Sequence, residues 1–264
     1  MKDLMLEVAL QATNKAVDVI IDALENPRMA DYKGRTNLVT ETDRLSEELI
    51  LNHIRSTFPT HSILAEESGS DKNKSEYLWI IDPLDGTTNF VHGYPSFGVS
   101  IACLINGKPT IGVISELPAK HLYFAIKGKG AFKNNMPIHV SGTKNLDQSL
   151  LVTGFGYNHG ELWQANMSLF KQFTDLTQGV RRLGAAAVDF CHVACGMVDG
   201  FWEFDLKPWD TAAGVLLVEE AGGTISRMDG DNYSIYDKQV IASNGQIHKE
   251  MLHYTKKTVE SLNG

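Results

Sequence analysis

Five carboxylates in this chain have the type and spacing for work on a cation. Asp82 and Asp85 follow an apolar run, Trp79-Ile80-Ile81, in the segment Asp82-Pro83-Leu84-Asp85-Gly86-Thr87-Thr88. Pro83 stiffens that turn and Gly86 relaxes it. Two carboxylates three residues apart across a turn can aim at one ion, and hard oxygen ligands select Mg²⁺, Mn²⁺ or Ca²⁺. Beyond Gly86, the N–H groups around Thr87 and Thr88 can open a helix and receive a phosphate. An acid cluster beside such an anion nest suits metal-assisted phosphate chemistry. Asp43, Glu66 and Asp210 are the other three acids, expected at a helix start, a strand end and a helix start. Each has a plainer reading by itself: Asp-Pro-x-Asp-Gly is also a surface turn, Asp210 an N-cap, and Glu66-Glu67 a solvated pair.

The elements that position these acids follow from hydrophobic spacing. Leu4, Val8, Ala12, Ala16, Val19, Ile20 and Ala23 predict a helix over 4–24, ended by Asn26-Pro27. A helix over 43–56 starts at Thr40 and Asp43, which resemble a capping box, and buries Leu45, Leu49 and Ile54. Strands are expected at 62–65, 77–81, 97–105, 109–115, 122–126 and 150–153, with Asn106-Gly107 as a hairpin turn. Helices at 161–177, 184–193, 210–221 and 247–262 alternate with strands at 201–204 and 240–242. The pattern is an α+β half, about 1–145, followed by an α/β half, about 146–264, within one domain spanning 1–264.

Composition narrows the function classes. The 264 residues are 43% hydrophobic and 21% charged, with a net charge of −8. Such a chain can bury a sizeable core. It repels nucleic-acid backbones, and no nucleic-acid partner is expected. The three cysteines, Cys103, Cys191 and Cys195, include no Cys-x-x-Cys pair and imply a reducing, cytoplasmic setting. The N-terminal residues lack the apolar core of a signal peptide, and no stretch reaches the ~18 apolar residues of a membrane span. Cys191 and Cys195 with His192 between them, Gly128-Lys129-Gly130, Asp229-Gly230-Asp231 and His92 are read as core, turn or surface rather than as sites.

Taken together, five segments resemble the inositol monophosphatase family of Mg²⁺-dependent, lithium-sensitive phosphatases. In order they are Asn37-Leu38-Val39-Thr40-Glu41-Thr42-Asp43, Leu64-Ala65-Glu66-Glu67, Trp79 to His92, Leu183-Gly184-Ala185-Ala186-Ala187, and Lys207-Pro208-Trp209-Asp210-Thr211-Ala212-Ala213-Gly214. The resemblance covers nearly the whole chain. It implies a layered αβαβα sandwich of the α/β (α+β) class, as in the inositol monophosphatase and fructose-1,6-bisphosphatase-like fold, usually as a homodimer. It implies two or three Mg²⁺ per site, with Mn²⁺ an alternative: Glu66, Asp82 and the Leu84 carbonyl for the first, and Asp82, Asp85 and Asp210 for the second. Glu66 would reach a third through water. Thr87, paired with Asp43, would orient the attacking water together with Glu66. The Gly86 and Thr87 amides would hold phosphate, while Glu203 and the Gly184-Ala185-Ala186 backbone would face the hydroxyls of a small phosphorylated substrate.

Two departures stand out. Ala185 replaces a threonine frequent in animal members, and the polar loop 68–75 is short. Inositol monophosphate is the expected substrate. Fructose 1,6-bisphosphate, 3′-phosphoadenosine 5′-phosphate and NADP are alternatives for the same chemistry, and a metal-dependent binding protein without catalysis is the contrasting class.

Overall fold

Phe97 to Ile105 alternates large apolar with smaller residues, and this run forms a strand because both its faces are covered. Asn106 and Gly107, at φ 50° and 75°, turn the chain through a two-residue hairpin of the type I′ kind into the return strand. The computed structural model describes residues 1–262 except Pro27, Arg35, Thr36 and Lys72. Pro27, the expected helix stop, and Lys72, in the expected polar loop 68–75, lie outside the described residues.

In chain order the first elements are α1 (Lys2–Ala23), β1 (Ala30–Tyr32), β2 (Leu38–Thr40), α2 (Glu41–Thr57), β3 (Ser62–Ala65), β4 (Gly69–Ser70), β5 (Tyr77–Asp85) and α3 (Thr87–His92). Strands β6 (Phe97–Ile105), β7 (Lys108–Leu117), β8 (His121–Ile126), β9 (Gly130–Lys133) and β10 (Met136–Ile138) follow. The remainder comprises β11 (Leu150–Thr153), α4 (Glu161–Leu176), β12 (Gly179–Arg181), α5 (Ala186–Ala194), β13 (Gly200–Phe204), α6 (Pro208–Glu220), β14 (Thr224–Ser226), β15 (Gln239–Ser243) and α7 (His248–Leu262).

An eight-stranded sheet runs β10-β9-β8-β7-β6-β5-β3-β4, antiparallel except for the β3–β5 pair. A five-stranded sheet runs β12-β11-β13-β15-β14, with β11 parallel to both its neighbours. Strand periodicity sorts neighbouring residues between layers. Ile81, Val99 and Ile101 pack with Met5, Val8, Ile20 and Ile50 of α1 and α2 on one face of the large sheet. Ile80, Ala102 and Ile114 face the other way, onto Phe190 of α5 and Leu216 of α6. Phe201 and Val240 of the small sheet close on the same two helices. Trp202 and Ile241 point outward beneath Phe173 of α4 and Met251 of α7. The layers are therefore α1/α2, large sheet, α5/α6, small sheet, α4/α7, which is the αβαβα sandwich.

Several expectations need correction. Leu4 and Leu45 are exposed and Leu49 is half-buried. The buried face of α2 is instead Asp43, Ser46, Glu47, Ile50, Leu51 and Ile54, because its first two turns face polar backbone rather than apolar core. Helix α2 begins at Glu41, so Asp43 is its third residue, and α6 begins at Pro208, so Asp210 is its third. β5 continues past residue 81 to Asp85. Strands β1, β2, β4, β9, β10, β12 and β14 were not expected, being two to four residues long and too short to show a period.

Helix α6 lies close enough to β7 that a Cβ at Gly112 would stand 2.9 Å from the Ala213 carbonyl oxygen. Backbone there cannot yield without separating the two layers. Gly112→Val is expected to destabilise the protein by about 1–3 kcal/mol, read as a lower urea midpoint with an unchanged slope.

Candidate active site

On a regular strand, residues three apart point to opposite faces. Asp82 pairs with Ser100 and Asp85 with Gly98, so Pro83 and Leu84 together oppose the single residue Val99. This bulge returns both carboxylates to one side of the sheet, and Pro83, which has no N–H to donate, sits within it. The Leu84 N–H donates to Asp82 Oδ1 at 3.1 Å, and Ser46 Oγ of α2 donates to the Pro83 carbonyl at 2.8 Å. Gly86 ends the turn at φ 82°. A Cβ there would stand 3.0 Å from the Ser96 carbonyl oxygen and 3.1 Å from Ala185 Cβ, so both conformation and space require glycine.

Thr87 opens α3, and its hydroxyl lies 2.9 Å from Asp43 Oδ1 and 3.1 Å from the Leu84 carbonyl oxygen. Asp43 accepts the Thr40 N–H at 2.8 Å and the Thr40 hydroxyl on its other oxygen, completing a capping box. The carboxylate therefore caps its own helix while presenting its remaining oxygen to Thr87. Asp85 accepts the Ala187 N–H at the start of α5 at 2.7 Å, with the Ala186 and Gly86 amides also turned to it. The Ala186 and Gly86 amides, expected to face substrate, thus also steady an acid. Asp210 accepts the Lys207 N–H at 2.7 Å, closing the first turn of α6.

Every expected site residue except Asp43 lines one cleft of about 330 Å³. Asp43 stands behind Thr87, fully buried. Of the acids at its floor, Asp82 is buried, and Asp85 and Asp210 are half-buried. Burial raises the Asp82 carboxyl well above the usual range, and the charges of Glu66, Asp85 and Asp210 add to the effect. Burial likewise raises Asp210, with Asp85 the main neighbouring charge. Asp85 is pushed up to about 7 by burial, against the pull of the Ala187 amide. Glu203, on β13, is raised by burial and by Asp210 and Asp85.

This donor set fits hard divalent cations. Like charges about 4 Å apart repel by roughly 4 kcal/mol at an effective dielectric near 20, and a shared cation removes that repulsion. Among the described residues, no three such side chains yet converge on one point as ligands do. Lys33 explains part of this: its ammonium contacts Glu66 at 3.1 Å and also Glu67. Binding a cation at Glu66 therefore competes with an internal one.

Several supporting residues were absent from the expected set. Glu47 accepts the Glu67 and Ser68 N–H groups, both at 2.9 Å, and so fixes the loop that carries Glu66. Its spacing of four from Asp43 on a helix was a usable signal. Asn89 of α3 donates to the Ser96 and Leu183 carbonyls at 2.6 and 2.7 Å, tying the turn around Gly86 to the segment that leads into α5. Lys33, and Arg182 and Tyr157, which line the cleft, carried no local pattern. Cys191 is buried core as expected, and His92 is exposed.

A model described as the inositol monophosphatase family matches residues 1–261. The chain is 48% identical to a chloroplastic phosphatase, IMPL1, of Arabidopsis thaliana, over 98% of this chain and 71% of that one. It is 45% identical to inositol-1-monophosphatase of a Synechocystis strain, over 93% and 86% of the two chains. It is also 39% identical to the Nus factor SuhB of Pseudomonas aeruginosa, over 94% of each. Among solved structures, inositol monophosphatase from Anabaena superposes with a TM-score of 0.88 at 45% identity, covering 97% and 96% of the two chains.

The raised carboxyls set a pH dependence. An acid whose folded pKa exceeds its unfolded value holds more protons when folded, so its contribution favours folding at low pH and is lost as pH rises through the folded pKa. In EDTA, the melting temperature is expected to fall by several degrees as pH rises from about 4 to about 8, most steeply between the ordinary carboxylate range and the value of about 7 for Asp85, where the folded chain holds protons that the unfolded chain has released. Millimolar Mg²⁺ is expected to raise it more at the upper end. A melt in EDTA that is flat across this range would contradict the burial of unpaired acids.

Proposed function

This chain belongs to the inositol monophosphatase family, and we propose that it hydrolyses inositol monophosphate through water activated at a Mg²⁺ site. The observation that carries this reading is the convergence of Asp82, buried, with Asp85 and Asp210, half-buried, in one cleft beside the Thr87–Asp43 pair. Glu66, Asp82, Asp85, Asp210 and the Leu84 carbonyl would hold two or three Mg²⁺, with Mn²⁺ an alternative. When bound, these ions supply a Lewis acid that lowers the pKa of a water and stabilises charge on the leaving oxygen.

The chain's own groups do the rest. The Thr87 hydroxyl, donating to Asp43, keeps its lone pairs free to accept a hydrogen bond from the attacking water. Asp43 fixes that hydroxyl's rotamer, and burial keeps Asp43 from trading partners with solvent. Glu66, on the same cleft, is the second group to align the water. The Gly86 and Thr87 amides hold phosphate oxygens at the start of α3. Glu203 accepts hydrogen bonds from hydroxyls of the leaving group and repels a second anionic group near it. No covalent phosphoenzyme is needed.

Arg182 and Lys207 line the same cleft and would suit a second phosphate, which keeps fructose 1,6-bisphosphate, 3′-phosphoadenosine 5′-phosphate and NADP as the second reading. Lithium sensitivity and a homodimer complete the proposal and rest on the family, and a cytoplasmic setting rests on the three cysteines without a Cys-x-x-Cys pair. Among the described residues, no helix is long and apolar enough to cross a membrane.

The test is phosphate release from inositol 1-phosphate and the three alternatives, in Mg²⁺, in EDTA and with added Li⁺. Mg²⁺-dependent release led by inositol 1-phosphate is expected, and a lead by another substrate would move the substrate assignment while keeping the chemistry. Asp85→Asn is expected to lower kcat by at least about 100-fold, since loss of a group merely supporting a ligand already costs 10–100-fold. Thr87→Ala is expected to lower kcat by about 10²–10⁴-fold with the fold intact by circular dichroism. Near wild-type turnover by either variant would overturn its assigned role.

A further inference from the structure

The placement of Glu203 depends on a glycine that no turn requires. Gly154 directly follows β11, and its φ lies outside the left-handed region, so backbone freedom does not account for it. Space does. A Cβ built on Gly154 would lie 2.3 Å from Glu203 Oε2 and 2.6 Å from both Cδ and Oε1. The Glu203 carboxylate therefore rests against the side of Gly154 that carries only hydrogen. Glu203 is 6% exposed, and among the described residues no side chain donates a hydrogen bond to its carboxylate.

The Gly154 peptide is itself clamped from the opposite layer. Asn166 of α4, 2% exposed, donates its amide to the Gly154 carbonyl at 2.5 Å and reaches Thr153 Oγ at 3.4 Å. The Thr153 hydroxyl donates to the Trp202 carbonyl at 2.6 Å, fixing β11 beside the residue that precedes Glu203. A chain of contacts thus runs from α4 through the Gly154 backbone to the carboxylate over the cleft.

We propose that Gly154, clamped by Asn166, is a positioning residue that sets where Glu203 meets the hydroxyls of the leaving group, and thereby determines preference for polyol monophosphates. This rests on the reading of Glu203 as the group that faces those hydroxyls. A methyl group at 154 displaces the carboxylate while leaving the acids on the cleft floor and the Thr87–Asp43 pair in place. Asn166→Ala acts on the same carboxylate by freeing the Gly154 carbonyl.

The test compares wild type, Gly154→Ala, Asn166→Ala, Glu203→Ala and the Gly154→Ala/Glu203→Ala double variant, on inositol 1-phosphate and on 4-nitrophenyl phosphate, whose leaving group has no hydroxyl array. In Mg²⁺, Gly154→Ala and Asn166→Ala are each expected to lower the ratio of kcat/KM between the two substrates at least about tenfold, mainly through KM for inositol 1-phosphate, as loss of a hydrogen bond to a charged group does. The double variant is expected to lie within about twofold of Glu203→Ala, because both changes remove one interaction. An equal loss on both substrates, or effects of Gly154→Ala and Glu203→Ala that multiply, would overturn the positioning role. If Gly154→Ala does not fold, the substrate ratio of Asn166→Ala decides alone. Wild type that releases no phosphate from either substrate would overturn the proposed reaction as well, whereas normal wild-type turnover with multiplying effects overturns the positioning role only.

Discussion

Like charge held out of water is the constraint on which the other features of this molecule turn. Asp82, Asp85 and Asp210 sit on one cleft floor, where the charge of Asp85 raises the proton affinity of both the others. Net stability of a domain is only about 5–15 kcal/mol, and repulsion of several kcal/mol at one point is a large fraction of that. The scaffold answers with fixed backbone donors. Each acid accepts main-chain N–H groups, Leu84 for Asp82, Ala187 for Asp85 and Lys207 for Asp210, and these belong to three different elements. Backbone amides cannot rotate away, so the acids keep their aim whether charged or neutral. The divalent cation proposed for this cleft would complete what the amides begin.

The same logic explains why polar side chains occupy buried positions that a core would ordinarily fill with leucine. Ser46, Glu47 and Asp43 lie on the inner face of α2, and each bonds main chain or Thr87 at the site rather than packing. The first two turns of α2 thus act as a bracket for the turns after β5 and β3, while Ile50, Leu51 and Ile54 farther along anchor the helix. Buried polar groups are tolerated because they are satisfied, and their bonds fix geometry that apolar packing could only approximate. Lys33 complements this on the open side, where it neutralises Glu66 and Glu67.

Layering supplies the rest. Helices α5 and α6 are shared by both sheets, and their N-termini meet at the cleft. Asp85 comes from the large sheet, Glu203 from the small one, and Asp210 from the helix layer between them. The site is therefore a junction of three layers, and the close approach of Gly112 to Ala213 keeps that junction narrow.

The sequence by itself determined the main elements, since strands such as Phe97–Ile105 and helices such as Glu161–Leu176 carry periods long enough to read. It also singled out acids that the fold brings into one cleft, because Asp82-Pro83-Leu84-Asp85-Gly86-Thr87 combines carboxylates with turn formers in a single run. Where patterns were short the sequence was silent, as with β4 and β12, or misleading, as with Leu45, whose helical spacing matched a core that lies on the other side of α2. Only the tertiary structure decided that Ser46 reaches the Pro83 carbonyl, that Lys33 meets Glu66, and that the Glu203 carboxylate rests on Gly154. Each of these joins residues from different elements, and no local propensity encodes such a contact. It arises when sheet twist, the bulge at Pro83-Leu84 and the packing of α5 and α6 bring separate strand ends and helix starts to one place.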